Sequence, residues 1–296
     1  MKIECIYVSG WRGDLRFTQC CVASIRQWYP RIRICLIKDE LHGSYDTSIL
    51  ERVFRVEIFP SSPAHYGWGA AKLEPLFQPQ RQRCLIVDSD VVFAGPLLSH
   101  LEGHAEDFLV ENALHLPDEV RENYFDPAQV EHAYPSFRYP GYVFNTGQIV
   151  ATSGILKRSD FAPFAVFDRP TRFLQPELFK CGEQGLLNFI LMSQHQAGNL
   201  TLRRVPFMRW PPCLDPAEID VGQLGPASPY PFLLHWAGKK NYAFEEAPLN
   251  QVLLHFDRIY QRQTAGQRCW QKGRSLVTTA LRLLAGRLWG RRRLAG

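Results

Sequence analysis

Leu85-Ile86-Val87-Asp88-Ser89-Asp90-Val91-Val92-Phe93 is the stretch on which the reading of this 296-residue chain turns. Cys84 to Val87 is an unbroken apolar run, as expected of a strand buried on both faces. It delivers two carboxylates, Asp88 and Asp90, where it leaves the core. Open α/β sheets bind ligands outside the carboxyl ends of their strands. Two carboxylates two residues apart can share one hard divalent cation through oxygen ligands, and such a cation would neutralise a diphosphate and let it depart as a leaving group. The same pair could equally cap a turn at a strand end.

Upstream, Ile3 to Val8 predicts a buried strand. Phe17 to Trp28 has helical spacing, with Cys21, Ile25 and Trp28 on one face and Pro30 ending it. Ile32 to Ile37 predicts a second strand, closed by Lys38-Asp39-Glu40. Strand, helix, strand implies a βαβ unit, hence a parallel sheet with a right-handed crossover. Val53 to Phe59 predicts a third strand and Ala70 to Phe77 a short helix, so the first hundred residues read as one doubly wound α/β half. Downstream, residues 111–141 carry Pro, Gly, aromatics and mixed charge, which predicts a long functional loop. Val143 to Thr152 returns to strand character and Gln184 to Met192 to helix. Arg209 to Pro231 reads as an ordered loop and Phe232 to Trp236 as a last short strand. With no internal repeat and no clean linker, one domain over residues 1–260 with a tail over 261–296 is the expected organisation.

Three further segments bear on chemistry. In Val143-Phe144-Asn145-Thr146-Gly147-Gln148-Ile149-Val150, a Gly permits close backbone approach and Asn145 offers a donor and an acceptor to a sugar, although a β-bulge would show the same pattern. In Cys181-Gly182-Glu183-Gln184-Gly185-Leu186-Leu187-Asn188, a Gly turn leads into a helix with Glu183 and Gln184 in its first turn, where an acidic side chain also compensates the helix dipole. In Leu233-Leu234-His235-Trp236-Ala237-Gly238-Lys239-Lys240, a strand-end His could ligate metal and the Lys pair could hold phosphate, or the His could be an ordinary core residue.

Composition narrows the class. A hydrophobic share of 46% with 21% charged residues excludes disorder and low complexity for most of the chain. No apolar run reaches the length of a membrane span. Met1 to Val8, with Lys2 and Glu4, lacks the pattern of a cleaved signal peptide. The eight Cys include no C-x-x-C pair, which favours reduced, buried thiols in a cytoplasmic protein over a zinc site or disulfide framework. The net charge of +5 is concentrated: Arg274, Arg282, Arg287, Arg291, Arg292 and Arg293 have no acidic neighbour through Gly296, so the body is near neutral and offers no nucleic-acid surface. Leu276, Val277, Ala280, Leu281, Leu283, Leu284 and Leu288 share one broad helical arc, predicting a basic amphipathic tail that docks on an anionic membrane surface.

The four motif segments, in this order, resemble the GT-A glycosyltransferases, and within them glycosyltransferase family 8, the galactosyl- and glucosyltransferases of the glycogenin and bacterial lipo-oligosaccharide type. The resemblance covers residues 2–250. The family pattern is D-x-D, F-N-[AST]-G, D-Q-x-x-L-N and H-x-x-G-x-x-K. It implies a Rossmann-like nucleotide-diphospho-sugar transferase fold with a mixed sheet flanked by helices. It further implies a metal-dependent retaining hexosyltransferase, with a nucleotide-diphosphate sugar such as a UDP-hexose as donor and a glycan or lipid-linked acceptor. Mn²⁺ (or Mg²⁺) would sit on Asp88, Asp90 and His235. Lys72, in the helix before the D-x-D, would touch the donor together with Ser89, Asn145 and Gly238. Glu183 and Gln184 would face the sugar, with Gln184 nearest the anomeric carbon, and Tyr7, Val8 and Ser9 would meet the base and ribose. Two positions depart from the pattern. Glu183 stands for the family's Asp, and Asn241 takes the place of the closing Lys, leaving diphosphate contact to Lys239 or Lys240.

Three rival readings follow from the same residues. An inverting transferase would use Glu183 as general base. A D-x-D phosphatase would carry its aspartates after the first strand, whereas these follow two βα repeats. A non-catalytic sugar-nucleotide-binding protein would have no use for the carboxylates and their partnering His. For the transferase the expected location is cytoplasmic, peripheral on the inner face of a membrane.

Overall fold

The computed structural model describes residues 1–60, 65–238 and 240–266. β1 (Cys5–Trp11) leads to α1 (Leu15–Trp28), β2 (Arg33–Asp39), α2 (Ser48–Phe54) and β3 (Val56–Ile58). α3 (Trp68–Ala71), β4 (Arg83–Asp88), β5 (Val91–Phe93), α4 (Leu98–Glu102) and β6 (Phe108–Val110) follow. The middle holds α5 (Pro117–Asn123), α6 (Pro127–Ala133), β7 (Gln148–Thr152), α7 (Arg158–Phe161) and the hairpin β8 (Ala165–Val166) and β9 (Arg172–Phe173). α8 (Glu183–Gln196), β10 (Leu202–Arg204), β11 (Met208–Arg209), β12 (Leu233–His235) and a helix over residues 250–266, here α9, complete the described chain.

Seven strands form one sheet in the order β10-β6-β7-β4-β1-β2-β3. β1 pairs in parallel with β2 and β4, as the βαβ reading requires, while β7 runs antiparallel between β4 and β6. The sheet is therefore mixed, with its parallel half built from the first ninety residues. Alternate side chains of each strand enter different clusters: Tyr7, Ile86 and Ile149 pack on one face, Val8, Val87 and Val150 on the other. A second, three-stranded sheet, β11-β12-β5, lies against the latter face. The chain changes sheets across Asp88-Ser89-Asp90, since β4 belongs to the first and β5 to the second.

Several boundaries differ from expectation, each for a local reason. β1 runs on to Trp11 because Gly10 and Trp11 continue the parallel pairing with Lys38 and Asp39. The third strand is only Val56–Ile58; Val53 and Phe54 end α2, which Arg55 closes in the left-handed region at φ 52° with its N–H on Leu50 O. Residues 111–141 contain two helices, each opening with a Pro in its first turn, where the missing N–H has no intrahelical partner to lose. Val143 to Gly147 is not strand. The Asn188 side chain receives the Phe144 N–H at 2.9 Å and donates to the Phe144 carbonyl at 2.8 Å, acting as a neighbouring strand would.

Five of the cysteines, at 5, 20, 21, 35 and 84, are buried, and Cys181 and Cys213 are exposed. Among the described residues no helix is long and apolar enough to cross a membrane. The boundary expected at 260/261 falls inside α9, and the amphipathic stretch from Leu276 to Leu288 lies outside the described residues.

α9 docks back on the N-terminal half. Val252, Leu253 and Phe256 are buried against Phe17 and Cys20, and Tyr260 stacks on Phe54 with centroids 5.1 Å apart and planes 7° from parallel. Asp257 Oδ2 accepts from Arg16 Nη2 at 3.0 Å. Phe256→Ala should therefore cost about 3–5 kcal/mol of global stability in urea denaturation, because the ring is fully buried and its surroundings come from three elements.

Candidate active site

The D-x-D is stitched to its neighbours by backbone hydrogen bonds. The Asp88 N–H donates to Gly147 O at 2.7 Å, the Ser89 N–H to Ser9 O at 2.9 Å, and Asp90 O accepts from the Trp236 N–H at 3.1 Å. The loop before β7, the interior of β1 and the end of β12 therefore converge on three residues. Asp88, Asp90 and His235 each offer one ligand atom within 4.8 Å of the others. His235 Nε2 lies 3.2 Å from Asp90 Oδ1. Trp210 stacks on the imidazole at 5.4 Å and 29°.

The donor set fits a divalent cation. Two carboxylates and an imidazole suit Mn²⁺ or a related ion. Asp90 Oδ1, despite its proximity to His235, makes no hydrogen bond, and His235 Nδ1 is likewise buried without a partner. Space is kept by Gly147, where a Cβ would stand 2.2 Å from His235 Cε1 and 2.8 Å from Asp88 Oδ2. Any side chain at this position would collide with the ligand set.

Charge compensation is just as specific. Burial pushes the Asp88 carboxyl up, and Asp90 adds to this, against the opposing pull of the Lys72 ammonium. Burial acts on Asp90 too, but His235 and Lys240 outweigh it and hold that carboxyl below the ordinary range. Lys72 Nζ sits 3.1 Å from Asp88 Oδ1 and 3.0 Å from Glu183 Oε1. Burial pulls that ammonium down, yet the two carboxylates outweigh it and raise it above its usual value. Glu183 reaches Lys72 because residue 69 is Gly: a Cβ there would lie 2.2 Å from Glu183 Oε2. Thr146 Oγ1 donates to Glu183 Oε1 at 3.3 Å.

Beside this group, Asn145 Nδ2 donates to Gln184 Oε1 at 3.0 Å, and Gln184 Nε2 donates to Asn123 O at 3.2 Å, which sets the orientation of the Gln184 amide. Glu111, at the end of β6, receives the Asn145 N–H at 2.9 Å.

The sequence-predicted residues therefore divide. Asp88, Asp90, His235, Lys72, Asn145, Glu183 and Gln184 are brought together by the contacts just described. Lys240 joins them, with Nζ 2.7 Å from Asp90 Oδ2 and 3.7 Å from Asp14 Oδ2. Gly238, at φ 83°, is exposed with nothing within 4 Å of a notional Cβ, and Lys239 lies outside the described residues. Ser89 and Ser9 are buried at the junction and joined through their backbones. Tyr7 and Val8 are interior strand residues. The Tyr7 ring packs edge-on against Phe59, and Val8 enters the opposite cluster, so Gly10 and Trp11 form the end of β1 instead. Sequence reading missed Glu111, Asp14 and Trp210. Glu111 had a signal, an acidic residue closing the apolar run Phe108-Leu109-Val110, whereas Trp210 had none.

No family model matches the chain, and no curated protein matches it by sequence. Among solved structures it is similar to the apo form of WbbM, a bifunctional glycosyltransferase, at 13% identity and a TM-score of 0.55, over 89% of this chain and 52% of WbbM. It is also similar to the galactosyltransferase LgtC in complex with donor and acceptor sugar analogues, at 14% identity and a TM-score of 0.54, over 87% of this chain and 95% of LgtC. An active-site glutamine-to-glutamate variant of LgtC matches at 11% identity and a TM-score of 0.50, over 85% of this chain and 94% of that one. The chain spans about half the length of WbbM and nearly all of LgtC. The fold is the GT-A fold of these glycosyltransferases, a mixed sheet flanked by helices.

Gly147→Ala should lower Mn²⁺ affinity by about 10–100-fold in calorimetric titration, the equivalent of an overpacking strain of about 1–3 kcal/mol at the ligand set. Unchanged affinity would show that the ion binds elsewhere.

Proposed function

We propose that the chain is a metal-dependent, retaining glycosyltransferase that moves a hexose from a nucleotide-diphosphate sugar, a UDP-hexose in the simplest case, to a glycan or lipid-linked acceptor. The observation that carries this reading is the convergence of Asp88, Asp90 and His235 at the carboxyl end of a central strand, within a GT-A fold. Asp88, Asp90 and His235 would hold a divalent cation, which when bound offsets the charge of a diphosphate leaving group. Lys240, paired with Asp90, is the described basic residue positioned to add a second positive charge beside that diphosphate.

The remaining side chains act on the sugar. Asn145 and Asn123 O hold the Gln184 carboxamide in one orientation, so its oxygen dipole can oppose positive charge developing at the anomeric carbon without reorganising. In LgtC, too, a glutamine belongs to the active site. Glu183 commits its carboxylate to Lys72 and Thr146. That arrangement favours a fixed positioning role over proton uptake from an acceptor, and so supports retention over the inverting alternative.

With purified protein and a panel of nucleotide sugars, nucleoside-diphosphate release should require Mn²⁺ or Mg²⁺ and stop in EDTA. Asp90→Asn should lower the rate on the order of 10³-fold, and Gln184→Ala should lower kcat more than it raises KM. Full turnover in EDTA would overturn the metal-dependent reading, and an inverted product by NMR would overturn retention.

We also propose that residues 274–296 place this activity at an anionic membrane surface, where six arginines contribute about 1 kcal/mol each. Co-sedimentation with anionic liposomes should fall sharply on deletion of residues 274–296 and in high salt. Equal binding by the shortened chain would rule the tail out as the anchor.

A further inference from the structure

Gln148 is fully buried, and neither its Oε1 nor its Nε2 has a hydrogen-bond partner. A primary amide rarely enters an apolar interlayer in that state, because each unpaired polar atom forfeits its hydration. Its position in the fold supplies the reason. In the β4–β7 pairing Gln148 stands opposite Val87, the residue before the D-x-D. In the β5–β12 pairing His235 stands opposite Val91, the residue after it. Paired residues on neighbouring strands point to the same side. Val87 and Val91 belong to one apolar cluster, together with Val150 and Leu233. Gln148 and His235 therefore project into the same interlayer from opposite sides of the D-x-D. The ring's Cε1, adjacent to Nδ1, already lies against Gly147, the residue preceding Gln148 in the chain.

His235 Nδ1 is the complementary orphan: buried, unpartnered, and on a ring whose face is covered by Trp210. The four apolar neighbours are at most 1% exposed, so neither group has bulk water to turn to. A metal-ligating His almost always donates its second ring N–H to an acceptor that fixes tautomer and ring orientation.

We propose that Gln148 is that acceptor: its Oε1 receives the His235 Nδ1–H across one buried water, and so, with a cation bound, leaves the Nε2 lone pair to the site shared with Asp90 Oδ1. Gln148 is thus a positioning residue for the metal ligand. The proposal rests on the metal-site reading given above.

The test uses the full-length chain and Mn²⁺ alone. Q148M, close in shape but without an acceptor amide, should bind Mn²⁺ about 10–100-fold more weakly by calorimetry, while its metal-free melting midpoint stays level or rises. Q148E, which keeps an acceptor, should restore wild-type affinity. Long-range proton–nitrogen NMR of the metal-free protein, with His235 assigned through H235N, should find a solvent-protected proton on Nδ1 in the wild type, whether or not Nε2 beside Asp90 also carries one, and should lose it in Q148M. Wild-type Mn²⁺ affinity in Q148M, or a wild-type Nδ1 that carries no proton, would overturn the proposal. A wild-type chain that takes up no Mn²⁺ would overturn the metal-site reading and with it the ligand-positioning role, while the NMR result would still report separately whether the Gln148–His235 bond exists.

Discussion

Asp88, Asp90 and Glu183 are carboxylates with side chains at most 14% exposed, and the fold can hold them there because two ammonium groups lie among them. Lys72 bridges Asp88 and Glu183, and Lys240 lies against Asp90 and Asp14. Removing one member of such a buried pair leaves an uncompensated charge and typically costs about 3–5 kcal/mol. This charge network ties together α3, β4, α8 and the segment after β12. Against four carboxylates, Asp14 included, two ammonium groups leave a deficit of positive charge in the network that holds Asp88, Asp90 and His235.

The sheet change across Asp88-Ser89-Asp90 explains why the site forms at this point of the chain. One carboxylate ends a strand of the large sheet, and the other precedes a strand of the small one. The antiparallel partner of that second strand brings in His235, and the loop before the antiparallel insertion β7 brings in Asn145 and Gly147. A uniformly parallel sheet would have supplied neither.

Much of this was legible in the residues. The apolar run ending in Asp88, the β1–α1–β2 unit and the helix starting at Glu183 follow from periodicity and turn chemistry, and the structure has them with shifts of a few residues. What could not be read depended on tertiary partners. Val143 to Gly147 has strand composition, but the side chain of Asn188, some forty positions on, takes the place of a neighbouring strand. Arg55 adopts a left-handed conformation that its residue type does not announce, so Val53 and Phe54 fell to helix. Tyr7 and Val8 meet a base and ribose only in what the family resemblance implies, and in the structure both are interior residues of β1, alongside β2. Gln148 carried no local signal, since a lone Gln opening a strand shows nothing of what it will face.

α9 joins the two ends of the described chain: Tyr260 covers Phe54, and Asp257 meets Arg16. On a ribosome these partners emerge in reverse order of need. The apolar surfaces of α1 and α2 are complete early, yet their cover is translated more than two hundred residues later. Non-local contacts of this kind are made late. The first βαβ unit must therefore wait with Phe17, Cys20 and Phe54 uncovered, a window in which chaperone capture and self-association compete with folding, and which closes only when α9, the last described helix, has left the exit tunnel.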